Sequence, residues 1–181
     1  MEFKRLEKNI TDMLREEQLK LGYRSETVRL YYPLKSLNLF LKTNLDEEEM
    51  YAALRAFCID VEKRLGNVEI SYRGDRFCLM IPPAGVDYVH ALYEKPEDMG
   101  KAEFLSDFIR TIEKHGCTLK DLKEQFYKYS GKVHEEMISN GEFDHLFYFE
   151  DGVPDDYRYC IKAEGAHMTY HRFTPEDYAE L

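Results

Sequence analysis

Near the C-terminal end, Arg158, Cys160 and Lys162 alternate along one run, and His167, Thr169 and His171 along the next. A strand turns successive side chains to opposite faces, so these alternating residues share one side of a hairpin. With Glu164-Gly165 as a two-residue turn, Ala163 faces Ala166. The pairs Ile161/Met168, Tyr159/Tyr170 and Tyr157/Arg172 then turn inward, and Lys162/His167, Cys160/Thr169 and Arg158/His171 turn outward. A thiol among four groups that are or can become cationic is expected to ionise more readily, and imidazoles beside it begin a nucleophile. The cationic set alone suits a carboxylate or a phosphate. Against the catalytic reading, a cysteine in a regular strand lacks the strained turn or helix start that presents a nucleophile with its oxyanion donors. One face of an antiparallel sheet is also commonly just wet. The candidate ligand-binding residues are therefore Arg158, Lys162, His167, His171 and Cys160, and no catalytic residue is assigned. A bulge or slip by one residue would exchange the two faces, and Glu-Gly is a weaker turn signal than Asn-Gly.

Other groups of ligand type are less specific. His167 and His171 have helical metal-pair spacing, but along a strand four residues span about 13 Å, too far for one zinc. His134-Glu135-Glu136 together with Asp144-His145 offers ligand types for zinc or iron without a diagnostic spacing. The acidic loop from Glu150 to Asp156 lacks the alternating ligands of an EF-hand. His90 falls three residues after Asp87, so an acid–imidazole pair or a partnered core histidine are both open. Cys58 on a buried stripe and Cys117 after a glycine read as inert. A Gly-rich phosphate loop, a G-x-S-x-G elbow and an H-E-x-x-H pair are all missing from the sequence. Neither a cofactor nor a resident metal is assigned.

The elements that must position these residues follow from periodicity. Phe3 to Leu21 reads as an amphipathic helix stopped at Gly22. Pro33 forbids an uninterrupted helix from Glu26 to Lys42, so a break is expected at Tyr32-Pro33. Asp46 with Glu49 caps a helix to Leu65 whose buried stripe is Met50, Leu54, Phe57, Val61 and Leu65. A first hairpin turns at Gly74-Asp75 with Arg73 opposite Arg76, placing Tyr72/Phe77, Ile70/Leu79 and Val68/Ile81 on its core face. Pro83 opens a short helix to Tyr93, and a loop around Lys95 to Gly100 follows. Leu105, Phe108, Ile109 and Ile112 mark a helix ending before Gly116, and Thr118 with Asp121 opens its hairpin partner. Val133 to Ser139 reads as a short helix ending at Asn140-Gly141, and Phe143 to Phe149 as an aromatic strand. Thr174-Pro175 starts a terminal helical turn. The expected fold is α+β: an antiparallel sheet of about five strands, two hairpins plus one strand, with helices covering one face. Residues 1–181 are expected to form a single domain, its N-terminal helical part roughly 1–66.

The 35 acidic against 25 basic residues give a net charge of −10, a field that repels phosphate backbones and anionic headgroups at long range. Nucleic acid and membrane are thus disfavoured as partners, although a local basic patch overrides this at short range. The four cysteines contain no C-x-x-C pair and read as reduced. The charged, helical N-terminus and the lack of any apolar run of about 20 residues lead to the expectation of a cytoplasmic protein. The expected partners are an anionic small molecule or a protein, and an uncovered sheet edge invites a second copy of the chain as a homodimer.

Two stretches carry a resemblance. Arg76-Phe77-Cys78-Leu79-Met80-Ile81-Pro82-Pro83 continuing into Gly85-Val86-Asp87-Tyr88-Val89-His90, and His145-Leu146-Phe147-Tyr148-Phe149-Glu150-Asp151-Gly152, resemble an uncharacterised bacterial family known as a domain of unknown function. The likeness covers most of the chain. It implies a bacterial cytoplasmic protein and brings no activity, cofactor or site residue.

Overall fold

The computed structural model describes residues 3–93, 99–138, 141–165 and 167–180. The chain divides into two compact units, Met1–Lys95 and Pro96–Leu181. The loop expected from Lys95, the turn at Asn140 and the pairing of Ala166 fall wholly or partly outside the described residues.

In the first unit, α1 (Lys4–Leu21) buries Leu6, Ile10 and Leu14 and gives way to Gly22 at φ 80°. Next come β1 (Val28–Pro33), α2 (Leu34–Leu41) and α3 (Glu47–Leu65). Asp46 and Glu49 form the expected capping box of α3, and all five residues of its predicted stripe are buried. The hairpin β2 (Glu69–Arg73) and β3 (Arg76–Ile81) has the expected register, with Arg73 opposite Arg76 and Tyr72 opposite Phe77. Phe77, Leu79 and Ile81 enter the core, whereas Tyr72 stays 42% exposed at the hairpin end. The helix α4 (Pro83–Leu92) follows.

Pro33 does divide two elements, but the one before it is a strand, not part of a helix. Val28, Leu30 and Tyr32 alternate with Arg29 and Tyr31, and that two-residue period pairs β1 with β3. The sheet order is β1-β3-β2, antiparallel throughout.

The second unit holds α5 (Met99–Ile112), α6 (Leu119–Tyr129), β4 (Val133–Met137), β5 (His145–Phe149), β6 (Arg158–Glu164), β7 (His167–Phe173) and α7 (Pro175–Tyr178). Thr118 with Asp121 caps α6 as expected. The predicted helix from Val133 to Ser139 is instead strand β4, whose residues pair with β5 from Val133 opposite Phe149 to Met137 opposite His145. Its Glu-Glu centre is mildly disfavoured in a strand, and pairing with an aromatic neighbour decides the outcome. Four strands run in the order β4-β5-β6-β7. One face packs on the helices through Phe104, Phe108 and Phe126, whose rings meet those of Phe147, Phe149 and Tyr159 at 4.9–5.6 Å.

The expected single sheet of about five strands is thus two antiparallel sheets, of three and four strands. Each hairpin recruits its own extra strands, β1 in one case and β4 with β5 in the other. No helix of the described chain is long and apolar enough to cross a membrane.

Candidate functional site

The face of the four-stranded sheet turned away from α5 and α6 carries all five candidate residues. Cys160 lies between Leu146 on β5 and His171 on β7, and Leu146 in turn opposes Glu136 on β4. One pair further along, Arg158 opposes Phe173 and His134 opposes Tyr148. In the other direction Lys162 opposes Thr169.

The register of β6 with β7 differs from the expected one. Glu164 pairs with His167, Ala163 with Met168 and Cys160 with His171, so the hairpin turns one residue later than Glu164-Gly165. The slip amounts to two positions along one strand. It therefore leaves every side chain on its expected face while changing its neighbour across the strand. His167 and His171 are exposed on that face, whereas Tyr157, Tyr159 and Ile161 are buried on the other.

The face is not uniformly wet. Phe143, Leu146 and Cys160 form a small buried cluster, with Ile138, Tyr148, Phe173 and Tyr178 packed against it. Tyr178 comes from α7, which is started by the Thr174 side chain accepting from the Asp177 amide at 3.1 Å. Cys160 is fully buried, and that burial, followed by the charge of Glu142, pushes its thiol up to about 12. The expected depressed thiol is therefore reversed: ionising the sulfur out of water is costly, and the charge of Glu142 adds to that cost.

Arg158 is the cation that the arrangement singles out. Its guanidinium sits 3.8 Å from the centre of the Tyr148 ring and donates to the Asp156 carbonyl at 2.9 Å. Among the described residues it forms no ion pair with a carboxylate. His134 stacks on the same Tyr148 ring at 4.5 Å and lies 3.3 Å from Glu136. His171 meets the Phe143 and Phe173 rings at 5.4 and 6.1 Å. Diagonal positions on adjacent strands are roughly 7–8 Å apart, which puts His171 within side-chain reach of Arg158.

The remaining candidates stand apart. Lys162 is half-buried and pairs with Asp144 at 3.3 Å. Asp144 also accepts from the Ala163 amide at 2.8 Å, and this bond, with Lys162 behind it, holds its carboxyl below the usual range. His167 sits at the turn end of β7, its ring 6.0 Å from that of His115. The His134 and His145 group divides, because β4 and β5 turn His134 with Glu136 to the candidate face and Glu135 with His145 to the opposite one. Glu135 is taken up by Lys123 at 2.5 Å. Among the described residues no three His, Cys, Asp or Glu side chains converge to hold a metal. His90 stacks on Tyr23 at 3.8 Å, and Asp87 accepts from the Tyr23 hydroxyl at 2.8 Å. Hydrogen bonds from Ser25 and then Tyr23 hold Asp87 below its ordinary range, ahead of the charge of His90.

A family model described as a domain of unknown function, E. rectale gene description (DUF3877), matches residues 3–181. The chain belongs to this family. DUF3877 is an uncharacterised bacterial family, as the two quoted stretches imply, and it brings no assigned activity to the residues above. Comparison with curated proteins and with solved structures gives no match.

Two groups were missed from sequence. Tyr148 was not singled out, and His134 was read only as a metal-ligand type; the signal that joins them on this face is the alternation within residues 133–137 and 145–149, hidden by a helical reading of the first run. The second group is buried: Tyr159 donates to Asp155 at 2.7 Å, and Arg172 stacks on Tyr157 at 4.3 Å. Asp155 lies in the acidic loop, where composition alone suggested solvent.

Proposed function

We propose that this chain is a non-enzymatic binding or regulatory module that takes up an anionic small molecule, or an anionic group of a protein partner, on the outer face of its four-stranded sheet. Arg158 is the anchor. The observation that carries the reading is a half-buried guanidinium stacked on Tyr148 with no carboxylate partner among the described residues. Stacking holds the plane of the fork and leaves in-plane N–H groups for a bidentate carboxylate or phosphate. His134 and His171 flank it as imidazoles able to donate a ring N–H to the anion. Lys162 and His167 sit further along the face and serve as outer contacts.

The cysteine-nucleophile alternative has little support, because the Cys160 thiol is buried beneath the aromatic cluster and resists ionisation. A cytoplasmic setting belongs to the proposal and fits four cysteines that are all free of disulfides.

Thermal unfolding in rising inorganic phosphate or citrate tests the reading. A ligand that binds the folded chain raises Tm by mass action. The native chain is expected to show a saturable rise that Arg158→Gln abolishes, while Lys162→Gln keeps most of it. Equal responses in the native chain and Arg158→Gln would overturn the assignment.

A further inference from the structure

We propose that the outer face of the three-stranded sheet in the first unit is a docking surface for single-stranded nucleic acid, with Tyr31 as the stacking platform and Arg29, Arg73 and Arg76 as its phosphate contacts. This surface is separate from the Arg158 face and is carried by different observations.

The inner face of β1-β3-β2 gives Leu30, Tyr32, Phe77, Leu79 and Ile81 to the core. Strand alternation then sends the intervening residues outward. Arg29, Met80 and Glu69 lie abreast, followed by Tyr31, Cys78 and Ser71, and then Pro33, Arg76 and Arg73. Tyr31 is 62% exposed in the middle row of this face, on the edge strand β1 and beside a buried Cys78 on the central strand. Burial of the ring inside the fold does not account for an aromatic there.

Charge separates this face from the rest of the chain. It carries three guanidinium groups and the single carboxylate of Glu69 in a protein of net charge −10. Arg29, Arg73 and Arg76 are all exposed, and none forms an ion pair among the described residues. Arg64, by contrast, is clamped by Glu7 through two hydrogen bonds. Arg73 stands directly opposite Arg76 across the hairpin. Like charges in that position oppose pairing, and an anion seated between them removes the penalty.

The arrangement fits a strand of nucleotides better than an acidic peptide. An exposed ring on a sheet face offers its π-surface to any base, and the cations before and diagonal to it track a backbone. Arg29 is two residues from Tyr31, about 7 Å along the strand, and Arg76 lies on the diagonal at roughly 7–8 Å. From Arg29 to the Arg76 row the face runs about 13 Å, room for two to three nucleotides. A duplex keeps its bases stacked inside and cannot use Tyr31. The overall negative field opposes encounter, but it is screened beyond about 8 Å at physiological salt, so short-range contacts survive and binding is weak and salt-sensitive.

Fluorescence anisotropy of the full chain with an end-labelled oligothymidylate at low salt tests this. Saturable binding is expected, with a slope of log K against log salt near about −2, since each of three neutralised phosphates contributes about −0.7. Tyr31→Ala is expected to weaken binding by roughly 5- to 100-fold and Tyr31→Phe to restore it. Arg73→Gln with Arg76→Gln is expected to flatten the salt slope to about a third of its value. A duplex of equal length should bind less well. These substitutions are on an exposed face, and unchanged Tm values confirm that the variants are folded. Absence of saturable binding, or binding untouched by Tyr31→Ala, overturns the proposal. An oligoglutamate peptide bound as tightly through Arg73 and Arg76, with Tyr31→Ala without effect, overturns it in favour of an acidic protein partner.

Discussion

Around Cys160 burial decides the chemistry: Phe143, Leu146 and Tyr178 remove the sulfur from water, Glu142 adds its charge, and the thiol rises to about 12. Sequence could place Cys160 and the imidazoles on one side of the sheet, because parity alone decides that. It could not say how deep the thiol sits, because its cover comes from α7 and from Phe143, on separate segments. The same holds for Asp155, which burial raises above the ordinary carboxyl range while the Tyr159 hydroxyl and Arg172 pull the other way. A carboxyl raised on folding stabilises the protein while protonated, below the unfolded value near about 3.9, and loses that contribution as pH rises through the folded value. Asp155→Asn carries no such titration. The stability of Asp155→Asn relative to the native chain, from urea unfolding, is therefore expected to improve between pH 3.5 and pH 7. A difference that stays flat or worsens across that window would contradict the burial assigned to Asp155.

Helices with written caps were legible in detail. Asp46 with Glu49 and Thr118 with Asp121 close reciprocal hydrogen bonds that need no distant partner. The strands β1 and β4 were not, since each is short and lies at a sheet edge, β1 held by pairing with β3 far along the chain and β4 by pairing with the aromatic β5. The hairpin at Gly74-Asp75 was legible because its turn fixes the count, whereas the weaker turn after Glu164 let the register move by two. Packing between elements gives its own test at Gly85, where α4 meets the end of α3. A Cβ there would stand 2.4 Å from the Leu65 carbonyl oxygen and 2.7 Å from the Ile81 side chain. Gly85→Ala is expected to cost about 1–3 kcal/mol in urea unfolding, as the helix is forced off its seat. Gly100→Ala in α5 meets nothing within 4 Å and is the control, expected to be neutral or stabilising by up to about 1 kcal/mol. Equal effects at the two glycines would contradict the close approach of α4.

At the scale of the molecule, two compact units each bury one face of a sheet against helices and carry the candidate residues on the other. The expectation of a single sheet failed for a reason no local pattern contains: strand order is fixed by which element each hairpin recruits. Net charge was legible and its unevenness was not, because Arg29 is separated in sequence from Arg73 and Arg76 and joins them only through the pairing of β1 with β3. Membership of DUF3877 leaves function to be read from the sites themselves. The most direct measurement is an NMR titration of the full chain with inorganic phosphate, following arginine Nε–H and histidine ring signals. Saturable shifts at Arg158, His134 and His171, with the Lys162–Asp144 pair little affected, are the predicted result. A uniform unsaturable drift of all arginine signals, or a still Arg158 signal, would contradict the anion site.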